Sequence, residues 1–416
     1  MKKMYAIPSL RSMFRIPAAH FSAGLAQKKR RIASEILRDK TKWNLLLTKP
    51  DDLSKLMQGP GRAETVWKKL RQGIEEIHDI QVNPIIVEAL CKKCYIPSID
   101  VKKVTLSSCG TRKLLIALED GQSVETVLIP SPEHLESGKS RTTICVSSQV
   151  GCARGCVFCA TGRLGLRGQL EADEILMQVF HGLRVIREEN LPAKVSIVFM
   201  GMGEPLNNFK EVQRAIEMLT LQDAFRIHPN AVTISTVGPN PDAIRKLAQC
   251  PTRIAWSLHA ADDEVRKRLV PTHTHTAVAL RDAFMEVILA RDKKLMPLIE
   301  ITLVDGINDS EKHARDLVEF FKPWRELGIK IKINLLPCNS IGDPELRPSH
   351  PETTLKFRNL LVQEGCVAII RRARGDADGS ACGQLSAEMT PLPKQGKEGR
   401  EEERSGGTAD VKVEID

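Results

Sequence analysis

The sequence predicts an α/β protein whose body is a barrel or partial barrel of parallel strands. A helical region and a small antiparallel sheet precede that body. Three observations predict it. From Arg141 onward, short apolar runs alternate with amphipathic segments, the pattern of a parallel sheet with crossover helices. Six or more such units suit a barrel better than a short open sheet. Before Arg141 the period differs: apolar residues recur at three and four up to Ile96, then alternate or run together from Val101 to Leu128.

The chain has 416 residues, 42% hydrophobic and 27% charged. That length suggests two or three domains, and that composition excludes wholesale disorder. No apolar run approaches the roughly 20 residues of a membrane span. Almost all of the net charge of +9 lies before Glu35, in Lys2, Lys3, Arg11, Arg15, Lys28, Lys29, Arg30 and Arg31, with no acid among them. The body is therefore close to neutral and gives no charge argument for nucleic-acid binding. Residues 1–35 have the basic, acid-free, Ser-containing composition of a mitochondrial or chloroplast transit peptide; a disordered basic arm is the alternative. The eleven cysteines follow no secretory signal, so a disulfide framework is not expected.

The elements follow in order. Residues 36–100 read as helical, from WNLLL, ETVWKKLRQGI and PIIVEALCKKC, with a turn at Gly59–Arg62. Residues 101–140 read as antiparallel strands, with a hairpin turn at Glu119-Asp120-Gly121. In 141–385, strands are expected at Thr142–Ser148, Val195–Met200, Ala231–Ser235, Arg253–Leu258, Leu298–Leu303, Lys330–Leu336 and Val367–Arg371. Helices fall between them, among them Leu170–Glu188, Thr276–Ala290, Ser310–Leu327 and Pro351–Gln363. Residues 386–416 are charged, Gly-rich and without apolar periodicity, and read as a disordered tail.

Cys152, Cys156 and Cys159 form C-x3-C-x2-C just after the first strand of the α/β region. Three thiolates this close can hold three corners of a cubane iron–sulfur cluster, and no neighbouring fourth Cys completes the set. A structural zinc site is the alternative, but zinc usually shows paired halves, absent nearby. Four polar or Gly-containing motifs end predicted strands: GMGEP at Gly201–Pro205, STVG at Ser235–Gly238, SLHA at Ser257–Ala260 and LLPCN at Leu335–Asn339. That is the face on which βα barrels build active sites. Gly201 and Gly203 would let the backbone approach a cofactor closely. Read by position alone, Glu204 could cap a helix, His259 could be a satisfied core histidine, and Asn339 could be a turn residue. Cys382 lies in a Gly/Asp-rich loop, a setting that suits a reactive thiol. Glu125 is a strand charge of the kind that faces solvent. Cys91-x-x-Cys94, on a predicted helix without a second pair, reads as structural.

Cys152–Cys159, with Phe158 before the last Cys, resembles the signature of the radical S-adenosylmethionine superfamily. CVSSQVGC at Cys145–Cys152, GMGEPL, SLHA and ACGQL at Ala381–Leu385 are similar to one subfamily, over about Leu37 to Leu385. That subfamily methylates carbon 2 of adenine in 23S rRNA and in tRNA beside the anticodon. The resemblance implies a partial (β/α)6-type radical-SAM barrel at 141–385, one [4Fe-4S] cluster on the three cysteines, and two S-adenosylmethionine molecules per turnover. Gly203, Glu204, Ser235, Ser257, Leu258, His259 and Asn339 would contact S-adenosylmethionine. Cys382 would carry the methyl group, Cys145 would resolve a covalent protein–RNA adduct, and Glu125 would accept a proton. Residues 36–100 would dock RNA. The implied partners are rRNA, tRNA and an electron donor such as flavodoxin or ferredoxin, for a monomer. The N-terminal composition puts it in a plastid or mitochondrion, with the cytoplasm as the alternative, and the lack of a long apolar run gives no membrane. Methylation at carbon 8 is the alternative within the same chemistry, and a non-enzymatic iron–sulfur protein the alternative outside it.

Overall fold

The computed structural model describes residues 41–74, 76–80, 83–131, 140–291, 296–371 and 379–386. The expected transit segment and all of the expected tail but Ser386 lie outside them. So do Arg372 and Arg374; with Arg371, Lys68, Lys69 and Arg71 they are expected either as phosphate contacts or as plain surface charge.

The N-terminal region is helical, but not where WNLLL placed it. Trp43–Asn44 is a short strand, β1, paired in parallel with β2 (Cys94–Tyr95). Its first helix is Pro50–Leu56, with Pro50 in the first turn and Asp51 and Asp52 beside the helix N-terminus. Both favour a helix start: proline gives up an amide that would be unpaired there, and the acids meet the positive end of the dipole. The expected turn at Gly59–Arg62 instead starts the helix Pro60–Leu70, for the same proline reason.

One ten-stranded sheet organises the rest. β3 (Asp100–Leu106), β4 (Arg112–Ala117), β5 (Ser123–Ser131) and β6 (Arg141–Cys145) are antiparallel neighbours. A separate hairpin, β7 (Gln149–Gly151) with β8 (Leu166–Gln169), follows. From β6 the sheet continues in parallel through β9 (Val195–Phe199), β10 (Val232–Thr236), β11 (Arg253–Ser257), β12 (Leu298–Leu303), β13 (Lys332–Pro337) and β14 (Val367–Ile370). Among the described residues β3 and β14 are the two ends of the order and do not pair, so the barrel is open.

The antiparallel strands are thus not a sheet of their own. β5 is shared, pairing with β4 on one side and with β6 on the other, where Val127 faces Cys145. Its near-continuous burial is that of a central strand rather than a half-wet one. The helix Ala172–Glu188, fixed at its start by a Glu171/Glu174 capping box, lies buried over most of its length. Ser310–Leu327 is two helices, Glu311–Phe320 and Lys322–Glu326, because Pro323 has no amide to continue the first. Among the described residues no helix is long and apolar enough to cross a membrane.

Candidate active site

The three cysteines sit on a loop whose neck is the β7–β8 hairpin. Cys152 donates its backbone N–H to Gly165 C=O (3.1 Å). Gly151 holds φ +73°, and a Cβ there would collide with the Gly165 carbonyl oxygen, so only glycine closes this neck. Inside the loop, Cys159 N–H bonds Cys156 C=O (3.1 Å), and Ala160–Arg163 makes one helical turn. Cys152 and Cys156 are buried and Cys159 half-buried, and the charge of Cys159 acts on the thiols of both others. Burial pushes the Cys152 thiol up to about 12 and Cys156 well above its usual value. Ligating thiols must shed those protons, so metal assembly here is coupled to pH. Among the described residues no group of three or more His, Cys, Asp or Glu side chains is arranged to hold a metal ion. Cluster corners lie farther apart than the ligands of one ion, and three clustered thiols on a glycine-closed loop are a donor set that fits a cubane.

The strand-end motifs gather at this loop through internal bonds. Glu204 is buried and accepts from Thr236 Oγ1 (2.6 Å), Val237 N–H (3.0 Å) and Leu206 N–H (2.9 Å). It thereby ties the end of β9 to that of β10 and caps the short helix Pro205–Asn208. Burial raises its pKa despite these donors. Gly203, at φ +100°, and Gly201 do not open space for a ligand. A Cβ on Gly203 would meet Gln149, and one on Gly201 would meet Val146 and Ser147. The glycines are needed for packing against the β6–β7 connection. Ser235 and Ser257, on adjacent strands, lie with their hydroxyls 3.2 Å apart. Leu258 is fully buried, its N–H bonded to Trp256 C=O (3.0 Å) and its C=O to Arg266 Nε (3.2 Å), so it packs the strand end beneath the two serines. His259 sits at φ +64°, accepts Thr302 N–H on Nδ1 (3.2 Å) and packs on Phe158 with centroids 4.6 Å apart. Burial, aided by Arg266, lowers its pKa to about 3, so it is a neutral ring carrying its proton on Nε2.

The Cys382 segment lies across the loop. Ala160 N–H donates to Gly383 C=O (2.6 Å), Thr161 Oγ1 to Leu385 C=O (2.6 Å) and Asn339 Nδ2 to Cys382 C=O (2.9 Å). Asn339 is thus a partner of the segment rather than a plain turn residue. Cys382 is reachable by solvent yet ringed by protein, which pushes its thiol up to about 12, with Cys159 and Glu300 adding to the effect. Cys145 is buried; its thiol is also raised to about 12, by burial and then by the nearby Cys382. Glu125 does not face solvent: it is 3% exposed. Its Oε1 pairs with Lys113 Nζ (3.0 Å) and its Oε2 accepts Ser386 N–H (2.7 Å), while Lys113 also donates to Gly379 C=O (3.0 Å). The pair therefore grips both ends of the Cys382 segment.

Lys113, Thr236, Arg266 and Asn308 belong to the site without being evident from the sequence. Asn308 Nδ2 bridges His259 C=O and Thr302 C=O, both at 2.8 Å. Only Thr236 carried a signal, lying inside STVG; the others are ordinary residues that long-range packing makes important.

The radical SAM superfamily profile matches residues 146–318. A dual-specificity RNA methyltransferase RlmN of Ruthia magnifica is 34% identical over 361 residues, covering 85% of this chain and 98% of that protein. One of Campylobacter jejuni is 36% identical over 356 residues, covering 82% and 97%. A radical SAM methyltransferase from Sphaerobacter thermophilus has a crystal structure that overlays with a TM-score of 0.74 at 30% identity, covering 83% of this chain and all of that one. The chain belongs to the RlmN family of radical S-adenosylmethionine RNA methyltransferases, enzymes built on a [4Fe-4S] cluster and S-adenosylmethionine.

Proposed function

We propose that the chain methylates carbon 2 of adenine in 23S-type rRNA and in tRNA through a methyl group carried on Cys382. The observation that carries this reading is the Cys382 segment bonded directly onto the cysteine loop through Ala160 and Thr161. Adenine carbon 2 is not nucleophilic, so direct transfer to it from a sulfonium is unfavourable. A thiol can accept the methyl group first and present the carbon later, splitting one hard step into two.

In this reading Cys152, Cys156 and Cys159 hold the cluster, which with S-adenosylmethionine supplies radical chemistry when bound. One S-adenosylmethionine methylates Cys382 and a second serves the radical step. Cys382 must lose its proton to accept the methyl group, and Cys145 resolves the protein–RNA adduct. Gly203, Glu204, Ser235, Ser257, Leu258, His259 and Asn339 form the S-adenosylmethionine site, Gly203 and Leu258 by packing the strand ends that shape it. Glu125 is the proton acceptor, in addition to its hold on the segment. Residues 36–100 dock the RNA, residues 141–385 are the catalytic body, and a flavodoxin- or ferredoxin-type protein supplies the electron to a monomer. Residues 1–35 direct it to a plastid or mitochondrion. Their fusion to a fluorescent protein should be organellar, and a diffuse signal would remove that part.

Nucleosides from a strain lacking the gene test the main reading. Loss of 2-methyladenosine from rRNA and tRNA is expected. Loss of 8-methyladenosine with 2-methyladenosine intact would replace it with the carbon 8 reaction.

A further inference from the structure

Arg266 lies on the helix Asp263–Leu269 with 0% exposure, the deepest arginine of the site. Two arms of its guanidinium are used within the fold. Nε donates to Leu258 C=O (3.2 Å) and Nη2 to Val237 C=O (2.6 Å), joining the ends of β11 and β10. The third arm, Nη1, is buried without a partner among the described residues. A buried charged donor left unpaired costs more than an ordinary hydrogen bond returns. Such an arm marks a place for an acceptor that the described residues do not supply.

The surroundings say where that place is. The helix of Arg266 packs on the cysteine loop: Val157 N–H donates to Leu269 C=O (3.0 Å), and Thr272 Oγ1 donates to Arg154 C=O (2.6 Å). Cys156 shares one apolar cluster with Leu269 and Val270. The guanidinium and the Cys156 thiol are within electrostatic range of each other. Of the carboxylates nearby, Asp263 lends its charge to Arg266 while its Oδ1 accepts Ala277 N–H (2.7 Å), and Glu204 accepts three donors of its own.

We propose that Arg266 is a positioning residue whose Nη1 donates a hydrogen bond to a sulfur of the cluster held by Cys152, Cys156 and Cys159, making that cluster easier to reduce. Hydrogen bonds to cluster sulfurs and nearby positive charge favour the reduced state, which carries one more negative charge. Arg266 also holds Val237, whose N–H is bonded to Glu204, and Leu258. It therefore fixes the cluster relative to the strand ends beside it. The proposal rests on the cluster assignment above.

The test uses the full chain with arginine labelled by 15N in the guanidino group, reconstituted anaerobically and assayed for iron and sulfide. Pulsed EPR of the reduced cluster without S-adenosylmethionine should show a guanidino 15N coupling. It should persist in Arg154→Lys, which removes the arginine of the loop itself, and vanish in Arg266→Lys. In Arg266→Gln at full iron loading, the reduced-to-oxidised ratio at a fixed potential should fall about tenfold, which is 59 mV for one electron; Arg266→Lys should fall less. Full iron loading with no coupling in the labelled wild type would overturn the proposal, whether or not the variants fold. So would a coupling that appears only with S-adenosylmethionine, which would give Nη1 to the methionine carboxylate. A chain that takes up no cluster at all would remove the cluster assignment as well.

Discussion

The cysteine loop and the Cys382 segment meet at one face of the sheet but are held there by different means. The loop is set by backbone: a hairpin neck, a glycine that cannot carry a Cβ, and a turn bonded to itself. The segment is set largely by side chains reaching in from separate elements: Lys113 on β4, Glu125 on β5, Thr161 in the loop and Asn339 beyond β13. The carrier role proposed for Cys382 would use this asymmetry, a fixed cofactor beside a thiol that must meet a base. The cysteine loop is held by backbone closure, and the Cys382 segment is fastened by contacts that can be removed singly.

That contrast predicts separable failures. The largest effect belongs to Cys152→Ala, Cys156→Ala or Cys159→Ala, each of which should abolish the iron–sulfur absorbance and all methylation. A stoichiometric zinc site surviving in the variant would contradict the cluster. Next is Lys113→Met, which leaves the Glu125 carboxylate buried without its cation at a cost of about 3–5 kcal/mol. That cost should fall on the segment: alkylation of Cys382 should speed up while the cluster spectrum is unchanged. Equal loss of cluster would merge the two regions. Gly151→Ala should do the reverse through the loop. A Cβ in the left-handed region costs on the order of 1–3 kcal/mol, and the clash with Gly165 adds to it. Iron uptake should fall, with Cys382 alkylated no faster than in the wild type.

The effect of pH on His259 bears on folding stability and separates neither region from the other. Its pKa is depressed to about 3 when folded, against about 6.5 when unfolded. Below pH 6.5 the unfolded chain binds a proton that the folded chain refuses. The stability contributed by the neutral ring is therefore full above pH 6.5 and is lost as pH falls toward 3, by about 1.4 kcal/mol per pH unit. Denaturant midpoints of wild type and His259→Phe across that window would show it as a difference in slope. Parallel slopes would mean that the ring is not held neutral.

Much of the sheet was readable because its elements carry their own boundaries. Leu298–Leu303 and Pro351–Gln363 fall where the sequence puts them, the first a bounded apolar run, the second opened by proline. The β7–β8 hairpin was not readable: strands of three and four residues are too short to show alternation. The β1–β2 pair joins residues about fifty apart with two residues each, which no local pattern encodes. The site divides the same way. The cysteine triad is local spacing and declared itself. That Cys382 lies on that triad came from resemblance, because the bonds that bring it there run between residues more than two hundred apart. Glu125 read as a surface charge because burial depends on β5 being a central strand, a fact of topology rather than of the strand.

The central claim is that Cys382 carries the carbon and Cys145 releases it. Cys145→Ala and Cys382→Ala, purified from cells containing RNA, compared on denaturing gels and by peptide mass spectrometry, test it most directly. The account predicts that the Cys145 variant accumulates protein covalently joined to RNA through Cys382, while the Cys382 variant keeps its cluster and forms no adduct. An adduct in the Cys382 variant, or full turnover by the Cys145 variant, would contradict it.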